Sequence, residues 1–247
     1  MIRLAELPGT VSILDDPTAM AAAAADWVLG VAARSATSSG RFLIALAGGG
    51  TPRRLYQALA ASPRRDRAEW GRWQVFFGDE RAVPPTDPAS NFRLARETLL
   101  SRVPIPEIQV HRMEAERQDL EAAAAEYSST LAETCPPWGA GAVPRLDCIL
   151  LGLGENGHTA SLFPGEPALE VRDRWAVPAQ ADYAPFARIT LTLPVLNAGA
   201  HVAFLVTGPT KGEALRGVVR GTVPAAGVRP PDGELRWFLD AGAAGSL

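Results

Sequence analysis

The segment from residue 152 to 165 reads Gly-Leu-Gly-Glu-Asn-Gly-His-Thr-Ala-Ser-Leu-Phe-Pro-Gly, and its His158 is the side chain best suited to proton transfer. An imidazole with a pKa close to neutrality can take a proton from water and return it later in a reaction. The segment directly follows the apolar run 147–151 (Asp-Cys-Ile-Leu-Leu), which is too hydrophobic to be anything but a buried strand. A lone histidine is more often structural than catalytic. The glycine-rich strand exit is what favours catalysis here, and the other two histidines are less suggestive: His111 lies away from such exits and His201 opens an apolar run.

Three further clusters could serve the same chemistry. Gly48, Gly49 and Gly50 precede Thr51 and Pro52, after the apolar run 41–47. Three glycines let backbone N–H groups approach an anion, and a following helix N-terminus adds favourable partial charge. The same turn could instead be a tight strand-to-helix connection with no ligand. Asp79-Glu80-Arg81 follows the apolar run 73–78. Asp79 could orient a base or a substrate hydroxyl and Arg81 could bind an anion, or the two could form an ion pair that orders the loop. Arg188 opens the run Arg-Ile-Thr-Leu-Thr-Leu, and Lys211 stands at a helix start, where a cation is misplaced unless an anion lies nearby. With the glycine loop, Arg188 and Lys211 would make a phosphate clamp.

Other motifs are weak or missing. Gly152, Gly154 and Gly157 match the dinucleotide pattern Gly-x-Gly-x-x-Gly. Pro164 would end any helix after them within two turns, whereas a dinucleotide-binding unit needs a full crossover helix. There is no Gly-x-Ser-x-Gly, no His-Glu-x-x-His, no Lys-Ser/Thr after the glycines and no zinc-spaced Cys/His set.

These clusters need elements to hold them. Apolar, β-rich runs at 10–14, 41–47, 73–78, 146–151, 175–178, 188–193, 201–207 and 235–239 read as strands. Runs at 17–34, 52–60, 89–100, 114–133 and 210–219 read as helices, with Asp16-Pro17 and Thr51-Pro52 as a capping residue followed by an N1 proline. Such alternation predicts an α/β fold: a mostly parallel sheet with helices on both faces, in one domain spanning 1–247. Residues 136–144 are the best linker candidate, and 230–233 (Pro-Pro-Asp-Gly) read as a turn. In open parallel sheets ligands sit at the carboxyl ends of strands, which is where the four clusters fall.

Composition bounds the class. The 247 residues are 47% hydrophobic and 21% charged, as in an ordinary soluble protein. A formal charge of −3 provides no field for nucleic acid or an acidic membrane. Cys135 and Cys148 form no Cys-x-x-Cys pair and suit a reducing, cytoplasmic setting. The N-terminus lacks a signal-peptide core, and the uncharged stretch 189–210 is interrupted by Pro194, Asn197, Gly199 and His201, so it reads as two strands around a turn.

Taken in order, Leu-Ala-Gly-Gly-Gly-Thr-Pro, Phe-Phe-Gly-Asp-Glu-Arg, the 152–165 segment, Ala-Arg-Ile-Thr-Leu-Thr-Leu and Thr-Gly-Pro-Thr-Lys resemble 6-phosphogluconolactonases across most of the chain. The resemblance implies a modified Rossmann-like fold shared with glucosamine-6-phosphate deaminase and ribose-5-phosphate isomerase. It implies hydrolysis of 6-phosphoglucono-δ-lactone in the oxidative pentose phosphate pathway, with no metal or organic cofactor, by a monomer or homodimer. By position, His158 would activate water, Thr51, Arg188 and Lys211 would bind phosphate, Asp79 and Arg81 would fall in the active-site segment, and Asn156 and Gly157 would contact substrate. Gly50 replaces a usual serine, Asn156 replaces the Asp of a usual Asp-Gly-His, and Asp87 stands where a histidine is common. The deaminase is the rival activity, but its two proton-handling carboxylates would align with Asn156 and Phe163. A non-catalytic phosphosugar sensor is the third reading; it would not need His158.

Overall fold

A computed structural model describes residues 6–181, 183–185 and 187–246. The first strand, β1 (Thr10–Leu14), leads into α1 (Pro17–Ser39), whose start is set by Asp16: its carboxylate accepts from the N–H groups of Thr18 and Ala19, and Pro17 takes the first turn. Then follow β2 (Phe42–Leu46), α2 (Gly50–Ala60), the short α3 (Arg64–Arg67), β3 (Trp73–Phe77), β4 (Asp79–Arg81), α4 (Asn91–Thr98) and α5 (Leu120–Thr134). A small hairpin, β5 (Pro137–Trp138) with β6 (Val143–Pro144), precedes β7 (Cys148–Gly152), β8 (Ala176–Gln180) and β9 (Ala187–Leu191). The chain ends with α6 (Leu193–Ala198), β10 (His201–Val206), α7 (Gly212–Arg220), β11 (Glu234–Asp240) and α8 (Ala241–Ala244).

Six strands form one sheet in the order β1-β11-β10-β7-β2-β3, with every neighbouring pair parallel. Strict alternation divides its side chains between two cores. On β10, Val202, Phe204 and Val206 join α5 and α7 on one face, while Ala203 and Leu205 join α1 and α2 on the other. Burial on both faces explains why these strands read as continuous apolar runs. From β2 the chain steps outward to β3, then returns past β2 to β7 and continues to β10 and β11. The crevice between the carboxyl ends of β2 and β7 is therefore the topological switch point, where such sheets bind ligands.

Several expectations need correction. The runs at 175–178 and 188–193 do not join the parallel sheet. As β8 and β9 they pair antiparallel with each other and with β4, in the order β4-β9-β8. The polar triplet 79–81 was not expected to be a strand; it continues the direction of β3 past Gly78, whose N–H still donates to Leu46 O. Residues 136–144 make the β5–β6 hairpin and not a linker. Between the strands of 189–210 lies a helical turn, α6, as well as a bend. The helix expected over 114–133 begins only at Leu120, where Asp119 accepts from Ala122 N–H. Thr51 does not cap α2: Gly49, at φ 104°, is its N-cap, and Thr51 lies inside the first turn.

Candidate active site

A cavity of about 270 Å³ opens at the switch point. Its walls come from three strand exits of the large sheet and from the small antiparallel sheet laid across them. Gly48, Gly49, Gly50 and Thr51 follow β2, His158 lies in the loop after β7, and Thr207 and Lys211 follow β10. Asp79 and Arg81 on β4 and Arg188 on β9 complete it, with Tyr183 at the rim.

The β2 exit is shaped by the absence of side chains. A Cβ on Gly48 would overlap the Asn91 side-chain amide, so no other residue lets the loop pass that helix start. Thr51 Oγ1 lies 2.8 Å from Thr207 Oγ1, which ties the β2 exit to the β10 exit. Asp240, at the end of β11, accepts from the N–H groups of Gly208 and Ala243 and thereby fixes the loop that carries Lys211.

The charged wall rests on two buried carboxylates. Glu80 points away from the cavity and accepts from Arg81 N, Asn91 N, Phe92 N and Ser90 Oγ at 2.7–2.9 Å. It is a structural staple joining β4 to the N-terminus of α4, and burial raises its pKa against the pull of those four donors. Asp79 faces the cavity. One of its oxygens accepts from Asn91 Nδ2 at 2.9 Å, the other from Ser161 Oγ at 2.6 Å, and Arg188 lies 3.8 Å away. Asp79 thus pairs with Arg188 across the small sheet, and Arg81 donates to Ala89 O; the Asp79–Arg81 pair weighed from sequence does not form.

Arg81 and Arg188 are direct partners in the β4–β9 register. Like charges opposite one another destabilise a sheet unless an opposite charge lies between them. Arg188 is only 2% exposed, stacked under Tyr183 at 5.0 Å and over Phe163 at 5.5 Å, so its guanidinium is held in one place. Burial lowers its pKa and Asp79 opposes that shift. Lys211 makes no ion pair among the described residues and lines the same cavity. Three cations therefore converge on a pocket containing one carboxylate.

His158 lines the same cavity and shares Phe163 and Tyr183 with Arg188 as ring neighbours. Its ring packs on Phe163 at 4.6 Å, and Nδ1 lies 2.6 Å from Asn156 Oδ1. Its pKa is lowered to about 4, first by burial and then by Arg188, Lys211 and Arg81, with Asp79 opposing. The imidazole is thus neutral at neutral pH. A neutral imidazole beside an anion-binding pocket can remove a proton from water.

A family model described as glucosamine-6-phosphate isomerases/6-phosphogluconolactonase matches residues 15–237. The chain belongs to that family. It is 40% identical to a 6-phosphogluconolactonase of Nostoc sp. over 96% of this chain and 98% of the relative. Identity to the human 6-phosphogluconolactonase is 38%, over 97% of this chain and 94% of the relative. The solved structure of the Trypanosoma brucei 6-phosphogluconolactonase superposes with a TM-score of 0.87 at 29% identity, over 98% of this chain and 99% of that one. A monomeric glucosamine-6-phosphate deaminase shares the fold, with a TM-score of 0.80 at 20% identity.

Within this family member, the cavity brings together His158, Asp79, Arg81, Gly48, Gly49, Gly50, Thr51, Arg188 and Lys211. Asn156 and Gly157, expected at the substrate, do not line it. Asn156 stands behind the His158 ring, and Gly157, at φ 78°, turns the loop where a Cβ would overlap Val223. The glycine pattern is followed by a turn and a 3-10 segment at Pro167–Glu170, with no crossover helix for a dinucleotide. Sequence reasoning missed Thr207, Ser161 and Tyr183. Thr207 sits at a strand exit and Ser161 lies in the 152–165 segment already singled out, so both could have been found by that rule; nothing near Tyr183 signals that its chain segment folds over the pocket. His111 stacks on Phe76 and bonds Gln74, and His201 bonds Glu234, both away from the cavity. Both cysteines are buried, with thiol pKa values pushed up by burial, that of Cys135 to about 12. No helix among the described residues is long and apolar enough to cross a membrane.

Proposed function

We propose that this chain hydrolyses 6-phospho-D-glucono-1,5-lactone to 6-phosphogluconate, with His158 taking the proton from the attacking water. The observation that carries the reading is that one imidazole and three cations line a single cavity of about 270 Å³. The phosphate is held by Thr51, the N–H groups of the glycine loop, Arg188 and Lys211. That anchor places the lactone carbonyl by His158 and converts attack by water into an effectively unimolecular step. Water oxygen bonds to C1 as its proton passes to the imidazole. The tetrahedral oxyanion is stabilised by donors on the cationic wall. Collapse breaks the C1–ring oxygen bond, and the imidazolium returns its proton to the departing oxygen.

The deaminase alternative requires carboxylates that move protons. At the two relevant positions stand Asn156 and Phe163, and the cavity's carboxylate, Asp79, is engaged by Ser161, Asn91 and Arg188. Family membership supports the lactonase reading. We further propose that the chain acts as one domain in the oxidative pentose phosphate pathway, in a reducing cytoplasmic compartment. The test is hydrolysis of freshly prepared lactone above its spontaneous rate. His158→Ala is expected to lose most of the acceleration while still binding 6-phosphogluconate. No acceleration by the wild type sinks the lactonase assignment; full activity of the variant sinks the role of His158. Ammonia release from glucosamine 6-phosphate reports on the rival.

A further inference from the structure

An imidazole acts as a base only from its unprotonated nitrogen, so something must decide which nitrogen that is. Around His158 the charged and titratable groups are Asp79 and Arg81 from β4, Arg188 from β9, Lys211 from the turn before α7 and Tyr183 from the 183–185 segment. None of them hydrogen-bonds the ring among the described residues. Asp79 is engaged by Ser161, Asn91 and Arg188. The ring's partner is Asn156, whose side-chain oxygen lies 2.6 Å from Nδ1.

An amide can offer either an acceptor or a donor, and here the backbone decides. The N–H of His158 itself donates to Asn156 Oδ1 at 3.2 Å. A backbone N–H can only donate, so the oxygen must face this turn. The same oxygen meets Nδ1, which therefore carries the ring proton. Gly154 closes the arrangement: its N–H donates to His158 O at 2.8 Å, and its missing Cβ leaves the space the ring occupies.

We propose that Asn156 is the positioning residue of His158: its neutral oxygen, oriented by the backbone, keeps the proton on Nδ1 and leaves Nε2 as the base. This rests on the reading of His158 as the base. An uncharged partner orders the tautomer without attracting a second proton to the ring. A carboxylate in the same place would order it too, but would stabilise the imidazolium and hold the ring protonated to higher pH.

Asn156 lies on an exposed turn, so its variants are expected to fold. In Asn156→Asp the His158 pKa of the free protein, titrated by nuclear magnetic resonance, is expected to rise by about one to two units. The substrate phosphate is absent from that titration, so the displacement between variants reports on the protein alone. Asn156→Ala is expected to lower kcat about tenfold with KM unchanged within about twofold. Nitrogen-15 spectra of histidine-labelled protein at pH 7 should show His158 protonated on Nδ1 in the wild type and a mixture of tautomers in Asn156→Ala. The same His158 pKa in wild type and Asn156→Asp, or a wild-type ring protonated on Nε2, would overturn the proposal. Full activity in His158→Ala would remove the base reading beneath it. An inactive His158→Ala together with an unmoved His158 pKa in Asn156→Asp removes the positioning role alone.

Discussion

Replacing Gly154 by alanine tests the site without touching any group that handles a proton. A Cβ at this position would overlap Nδ1 and Cε1 of His158, and the glycine is not in the left-handed region, so the added methyl acts through the ring and not through backbone strain. Relief requires the imidazole to move by about 1 Å, and misplacement of a catalytic group on that scale costs on the order of 10²-fold in rate. The same movement breaks the Asn156–Nδ1 hydrogen bond and frees the ring to change tautomer. Folding should suffer less. Overpacking a loop of this kind costs about 1–3 kcal/mol, offset by about 0.4–1 kcal/mol from the stiffer unfolded chain. The proposed phosphate contacts, Thr51, Arg188 and Lys211, keep their own side chains, so KM should hold within about threefold. The assay is steady-state lactone hydrolysis corrected for spontaneous decay, alongside thermal unfolding, for Gly154→Ala in wild-type and His158→Ala backgrounds. If the methyl acts through His158, it adds nothing once the imidazole is gone. A kcat within about threefold of wild type, or an equal loss in both backgrounds, refutes this reasoning.

Two other outcomes follow from the charge distribution. Lys211→Ala removes a charge-assisted hydrogen bond worth about 1.5–3 kcal/mol, so KM for the lactone should rise roughly 10- to 100-fold, with kcat nearly unchanged and thermal stability preserved. His158, titrated by nuclear magnetic resonance, should show its pKa near about 4 in the free protein and at least about one unit higher with saturating 6-phosphogluconate, because a bound phosphate opposes the cations that depress it. An unmoved or lowered value on binding would contradict the placement of the phosphate beside those cations.

The middle of the large sheet was legible because β2, β7 and β10 are buried on both faces and read as almost unbroken apolar runs. The cavity loops were legible for a related reason: rules about strand exits convert a list of strands into a list of candidate residues. What the sequence hid is the second sheet. Its β4 consists of Asp79, Glu80 and Arg81, and three charged residues carry no β signal. They form a strand because Gly78 carries the direction of β3 onward and because β9 offers a partner more than a hundred residues away. That pairing placed Arg81 opposite Arg188, which no local pattern discloses. The contact of Asn156 with the His158 ring was hidden for a different reason. Its spacing from His158 is that of an Asx turn, and from sequence alone the side chain could equally have faced the substrate.

On the proposed function, the pocket's charge explains how a chain of net charge −3 would bind an anionic sugar, and why its base would be neutral. Arg81, Arg188 and Lys211 against Asp79 leave a surplus of two positive charges, close to the charge of a phosphate monoester at neutral pH. A protonated His158 would add a third with nothing to balance it, and the field of the other cations, together with burial, prevents this. The same field works in the opposite sense once substrate arrives. In the proposed reaction the phosphate would cancel it, the ring's affinity for a proton would climb toward its ordinary value, and a weak base would become a stronger one as the lactone takes its place. Asn156 fits this scheme because it contributes no charge of its own. A carboxylate there would hold the ring's proton affinity high whether or not the phosphate was bound, and would uncouple the strength of the base from occupancy of the pocket.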